Sequence, residues 1–232
     1  MVFSTLNKFL FVGFLDGLSY FTTKFYTNKV HYNARWFFIH FNINLLVTIY
    51  TLPDLLDCLK DHEICTLEKS SPMAYLATEL VLISHLYHSI VFYPYLKKDD
   101  IIHHVSMCGF NGMVFYYQGL KIQSVTSFFC SGLPGMIDYF LLYLVKIGKL
   151  DKKIEKEVYL FLTTYIRSPG CMLNTFLIIP FFKREQYLFD LLISFFATLL
   201  VFWNGQYYMS KTCIDYGKKY NSLEKKNYYS GQ

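Results

Sequence analysis

The stretch YLFDLLISFFATLLVFWNGQYYM, residues 187–209, holds one charged side chain, Asp190, in 23 positions. A helix needs about 20 mostly apolar residues to cross about 30 Å of hydrocarbon, so this stretch reads as a transmembrane helix. A membrane-spanning strand would instead alternate apolar and polar residues over about ten positions. Only a helix satisfies its own backbone in lipid.

Working outward from it, five more apolar blocks reach or approach the same length: residues 36–53, 73–95, 101–118, 122–145 and 158–182. The expected fold is therefore all-α, a polytopic membrane bundle of about six transmembrane helices. Of the 232 residues, 53% are hydrophobic and 20% aromatic, with a mean hydropathy of +0.26. That is more apolar material than a soluble domain of this length can cover. No linker or repeat divides the chain. Residues 1–34 form an amino-terminal cytoplasmic or interfacial segment, 35–210 the transmembrane domain, and 211–232 a basic, tyrosine-rich, loosely ordered cytoplasmic tail. The apolar patch over residues 9–20, broken by Asp16 and lacking a small-residue cleavage site, predicts an interfacial amphipathic helix. A short seventh span is the alternative.

Basic residues test this topology, because short cytoplasmic loops keep Lys and Arg. With six spans, sixteen basic residues fall on one side, among them Lys24, Lys29, Arg35, Lys97, Lys152, Lys211, Lys219, Lys225 and Lys226. Five fall on the other: Lys60, Lys69, Lys121, Lys183 and Arg184. Both termini are thus expected in the cytoplasm, and the bilayer to be the endoplasmic reticulum or another endomembrane. The net charge of +5 follows from topology and an anionic inner leaflet, so no nucleic-acid partner is inferred. The outer loop, residues 54–72, is acidic through Asp54, Asp57, Asp61, Glu63 and Glu68, as a solvated surface would be. Six cysteines show no metal-ligand spacing; only Cys58 and Cys65 share that loop, where they form either a disulfide or two free thiols.

Ionisable groups inside a span cost about 2.5–3.5 kcal/mol on insertion scales, so each needs a partner, a wet cavity or a role. Here they recur in five consecutive spans: Glu79, His85 and His88; Asp99, Asp100, His103 and His104; Asp138; Arg167; and Asp190. His85 and His88 are three residues apart and share one helical face, as do Asp100 and His104 at a spacing of four. A polar cavity near the cytoplasmic end is the natural consequence. Histidine suits proton transfer there, its unperturbed pKa of about 6.5 lying near physiological pH. Gly132-Leu133-Pro134-Gly135 and Arg167-Ser168-Pro169-Gly170 are expected to break the fourth and fifth spans, with an Arg167–Asp138 ion pair between them. The histidines are too few for a di-iron centre, and no metal is assigned.

The chain resembles the TLC-domain membrane proteins, the group that includes the ceramide synthases, over roughly residues 35–217. The resemblance rests on Asp100-Ile101-Ile102-His103-His104 opening a span, the helix-breaking fourth span, Arg167, and Phe202-Trp203-Asn204 near the end of the last. It implies a lipid-handling fold that binds or acylates a lipid, with His103, His104 and Asp138 catalytic, and with His85, His88 and Arg167 binding the substrate. Acyl-CoA is the co-substrate this implies; no cofactor is otherwise evident, and the partners are a membrane lipid and either a second copy or a membrane complex. Only Asp138 stands where the family has paired aspartates, so the fold is implied more strongly than the reaction. Two other classes fit the same residues: a channel or transporter using the intramembrane His, Asp and Arg, and a structural subunit of a membrane complex.

Overall fold

A computed structural model describes residues 4–28 and 32–230, and the side chains of these apart from 107 and 219–230. Lys29 and the side chains of Lys219, Lys225 and Lys226, counted in the charge asymmetry, lie outside the described residues. Every regular element among the described residues is helical.

The chain runs as α1 (Thr5–Thr27), α2 (Tyr32–Lys60), the single turn α3 (Ile64–Leu67) and α4 (Pro72–Val91). There follows a rod made of α5 (Lys98–His103), a π-helical turn (His104–Phe110) and α6 (Asn111–Gln118). The next consists of α7 (Lys121–Ser127), a π turn (Phe128–Gly132) and α8 (Leu133–Lys146). The third rod of this kind joins α9 (Lys152–Leu162), a π turn (Thr163–Arg167) and α10 (Ser168–Leu177), and α11 (Ile179–Arg184) follows. The last helix, α12 (Leu188–Ser230), carries the helix through the segment expected to be a loosely ordered tail. Three stretches are long and apolar enough to cross a membrane: Tyr32–Lys60, Lys121–Lys146 and Leu188–Lys218.

The two expected helix breaks are not breaks. Pro134 and Pro169 lack the N–H that would bond four residues back, and their rings crowd that carbonyl. Each sits just after a π turn, where the wider i→i+5 pattern absorbs the defect and the rod continues. Likewise Pro53 lies inside α2, which runs seven residues beyond it to Lys60.

α2 is the central rod, packed against α1, α4, α7 and α8. Gly135 lets α8 close on it: a Cβ there would stand 2.5 Å from Asn44 Nδ2. Small residues at such crossings matter in lipid, where close packing takes over from the hydrophobic effect in holding helices together. One core cluster joins α1, α2 and α4 through Val12, Leu15, Trp36, Ile43, Ala77 and Ile83. A second closes the other end with Leu55, Cys58, Cys65, Val125, Leu177 and Phe181. Cys58 and Cys65 are buried, free thiols within it.

The acidic loop is not simply solvated. Lys121 pairs with Asp57 at 2.9 Å and Glu68 at 2.7 Å, and Arg184 with Glu63 at 2.6 Å. Asp54 is buried and accepts from Ser124 Oγ at 2.7 Å and the Ser71 amide at 3.1 Å.

α1, expected to lie on the membrane surface, packs lengthwise against α2 and α4. Its inward face is mixed: Lys8, Asp16, Ser19 and Thr23 are buried beside Val12 and Leu15. Lys8 pairs with Glu79 at 2.6 Å, and Asp16 takes both nitrogens of the Arg35 fork, at 2.8 and 2.6 Å, together with the Tyr87 hydroxyl at 2.8 Å. Its outward face shows Leu6, Leu10, Phe14, Leu18, Phe21 and Phe25.

Candidate functional site

A cavity of about 420 Å³ lies inside the bundle, within the range typical of ligand sites. Every long rod except α1 contributes to its wall. His40 and Asn44 come from α2 and His85 from α4. His103 closes α5, and Cys108 and Asn111 follow in its rod; Asp138 and Tyr139 stand on α8. Tyr159 and Arg167 come from the next rod, and Asn204 and Tyr208 from α12. Lys97, Asp99, Asp100 and Lys211 line one end; Lys211 and Asp99 pair there at 2.9 Å. Gln118 and Ser194, hydrogen-bonded at 2.9 Å, lie on the wall where α6 ends.

The histidines cluster more completely than their spacing suggests. Five of the seven in the chain pack together, edge-on or tilted. Ring centroids separate His85 from His40 by 5.1 Å, from His104 by 5.2 Å and from His103 by 5.5 Å; His88 and His104 are 5.4 Å apart. The expected residues do not all reach the cavity. His85 and His103 are on its wall, whereas His88 and His104 stand behind it. His88 stacks on Trp36, with centroids 3.5 Å apart. Ser89 donates to the His85 carbonyl at 2.8 Å, so toward His104 its oxygen accepts, and His104 Nδ1–H is the donor at 2.9 Å.

The same bookkeeping fixes His85. Its Nδ1 lies 2.7 Å from the Val81 carbonyl, which can only accept. Nδ1 therefore carries the proton, and Nε2 keeps a free lone pair.

Asp138 and Arg167 both line the cavity, yet the expected ion pair is absent. Arg167 donates through Nη2 to Asn204 Oδ1 at 2.8 Å, and its guanidinium lies 4.5 Å from the Tyr208 ring centroid. Arg167 Nε and Asp138 Oδ1 are shielded from solvent with no hydrogen-bond partner. An orphaned donor and an orphaned acceptor on one cavity wall are sites for a polar ligand to fill, since leaving either unpaired costs about 1–3 kcal/mol.

Sequence reasoning missed His40, Asn44, Cys108 and Asn204 as members of the wall. His40 and Asn44 carried a signal, two polar residues four apart in an apolar span and so on one face. Cys108 carried none, because a cysteine in a span reads as a small apolar residue. The other ionisable residues have local partners: Glu79 is held by Lys8 and Tyr116, and Asp100 accepts from the Lys97 amide at 2.9 Å. No family model, no curated protein and no solved structure matches this chain.

Proposed function

We propose that this protein binds a membrane lipid within the bundle, its polar head in the cavity, and that acyl transfer to that head is the reaction its wall suits. The observation that carries the reading is the orphaned pair, Arg167 Nε and Asp138 Oδ1, on a polar cavity inside a bundle whose outer faces are apolar. On this reading the six apolar rods cross the bilayer, and the chain sits in an endomembrane.

In the reaction, a lipid amine or hydroxyl attacks the carbonyl of an acyl thioester such as acyl-CoA. The new N–C or O–C bond forms as the C–S bond breaks, and the proton passes through an acceptor on the wall to the departing thiolate. His40, His85, His103 and Asp138 are the wall groups able to take it. His104 works from behind, held by Ser89 against the rings of His85 and His88. Arg167 and Asn204 fix the polar head.

The channel reading is the weaker one, because Glu79 is occupied by Lys8 and His88 is stacked on Trp36, leaving both off the cavity wall. Mass-spectrometric lipid profiling of cells expressing the wild type against His103→Ala/His104→Ala, at matched protein levels, tests the proposal. A lipid class that changes with the wild type and reverts in the variant is expected; identical profiles would sink the reading.

A further inference from the structure

Two wall imidazoles and a thiol converge more closely than proton transfer requires. The ligating atoms of His85, His103 and Cys108 all lie within 4.8 Å of one another. Two features of the backbone produce this. The Val81 carbonyl holds the proton of His85 on Nδ1, so Nε2 is left as a lone pair. A backbone acceptor on the far ring nitrogen is the usual second support of a metal-bound histidine, fixing both tautomer and ring orientation.

The second feature is the π turn. In an α-helix, residues five apart stand about 140° apart around the axis. Cys108 would then face away from His103. The π turn His104–Phe110 follows an i→i+5 pattern, which brings residues five apart back over one another. This widening, which no proline follows, has its effect in the rod of α5 and α6: it delivers a sulfur beside His103.

We propose that His85 Nε2, His103 and Cys108 Sγ bind a zinc ion, with the fourth coordination position open to the cavity. Imidazole and thiolate are the donors zinc favours, at about 2.0–2.1 Å for nitrogen and about 2.3 Å for sulfur. A tetrahedron of those bonds sets the donors about 3.3–3.6 Å apart, so side-chain rotation need close only about 1 Å. The thiol gives up its proton on binding, and the S–H bond is replaced by S–Zn. Three protein ligands and one open position are the arrangement of catalytic rather than structural zinc. A lipid oxygen or a water taking that position would be polarised.

This rests on the cavity being the reactive site, and it changes the roles within it. With His85 and His103 committed to the ion, His40 and Asp138, the latter with Oδ1 unpaired, are the acceptors left on the wall.

The full chain, solubilised in detergent, freed of its tag and stripped with a chelator, is titrated with Zn²⁺ against a chromophoric competitor. About one ion per chain is expected. Cys108→Ser and His85→Ala each weaken it at least about tenfold, while Cys213→Ser, altering an exposed thiol on α12, leaves it unchanged. Cobalt in place of zinc should give a thiolate charge-transfer band in the wild type. Absence of binding or of that band in the folded wild type overturns the proposal, as do Cys108→Ser and His85→Ala chains that bind like the wild type. An unchanged lipid profile would instead defeat the acyl-transfer reading while leaving the metal result standing.

Discussion

Arg167 holds a guanidinium inside the bundle with an amide and a phenol ring for company, and no carboxylate answers it. A buried charge satisfied only in part weakens a fold, and an apolar replacement of similar volume is often neutral or stabilising. Arg167→Met should therefore leave the thermal unfolding temperature unchanged or raised, yet abolish the lipid change seen with the wild type. Asn204→Leu should do the opposite to stability. It strips the Nη2 donor of its acceptor and costs about 1–3 kcal/mol, read as a lower unfolding temperature in detergent. If Arg167→Met unfolds the protein as readily as Asn204→Leu, the guanidinium is structural and the ligand reading fails. Sequence spacing drew Arg167 to the kink and to the right depth but matched it with Asp138, because opposite charges at one depth invite pairing. Its actual acceptor is an amide 37 residues on, in another helix, with no charge to advertise it.

Helical rods set the depth of these residues, and their irregularities set direction. Each of the three π turns carries a wall residue: Cys108, Cys130 and Arg167. Proline and glycine made two of the three visible in sequence, though as breaks rather than widened turns. The third, at His104–Phe110, has no proline and was not legible. Just past the last π turn, Gly170 packs against the Phe129 ring, closer than any Cβ could approach. Gly170→Ala must drive that ring or the rod aside. Overpacking of this kind costs about 1–3 kcal/mol, so thermal melts should show a clear loss. A variant melting like the wild type would mean that α10 and the π turn Phe128–Gly132 do not meet so closely.

At the scale of the whole molecule, many large apolar side chains stand outside, while Lys8, Asp16, Asp54, Lys121 and Glu155 are buried beside the apolar clusters. Hydropathy drew six apolar blocks, and three stretches of the structure are long and apolar enough to cross a membrane. It read α1 as an interfacial helix, with a short seventh span the alternative, because Lys8, Asp16, Ser19 and Thr23 lower its average and the partners of Lys8 and Asp16, namely Glu79, Arg35 and Tyr87, lie up to 71 residues away. Those four residues are buried together with Val12 and Leu15, while Leu6, Leu10, Phe14, Leu18, Phe21 and Phe25 form a stripe along the exposed face. From residue 6 to residue 25 that stripe rises about 28 Å at 1.5 Å per residue, close to the thickness of hydrocarbon it would need to cover. The helix is antiparallel to α2, with Asp16 beside Arg35 near the start of α2, and Lys8 deeper, beside Glu79. The amino terminus therefore points toward the end where Asp57 meets Lys121, whereas α12 runs from that end to Lys211 at the mouth beside Asp99. We expect α1 to cross the bilayer as a seventh span, setting the two termini on opposite sides, in place of the shared cytoplasmic side that six spans imply. Epitope tags at each end, probed in cells whose plasma membrane alone is permeabilised, should show one tag reachable and the other protected. Both reachable would return α1 to the membrane surface. The ion pair of Lys8 and Glu79 would then have to open to release it.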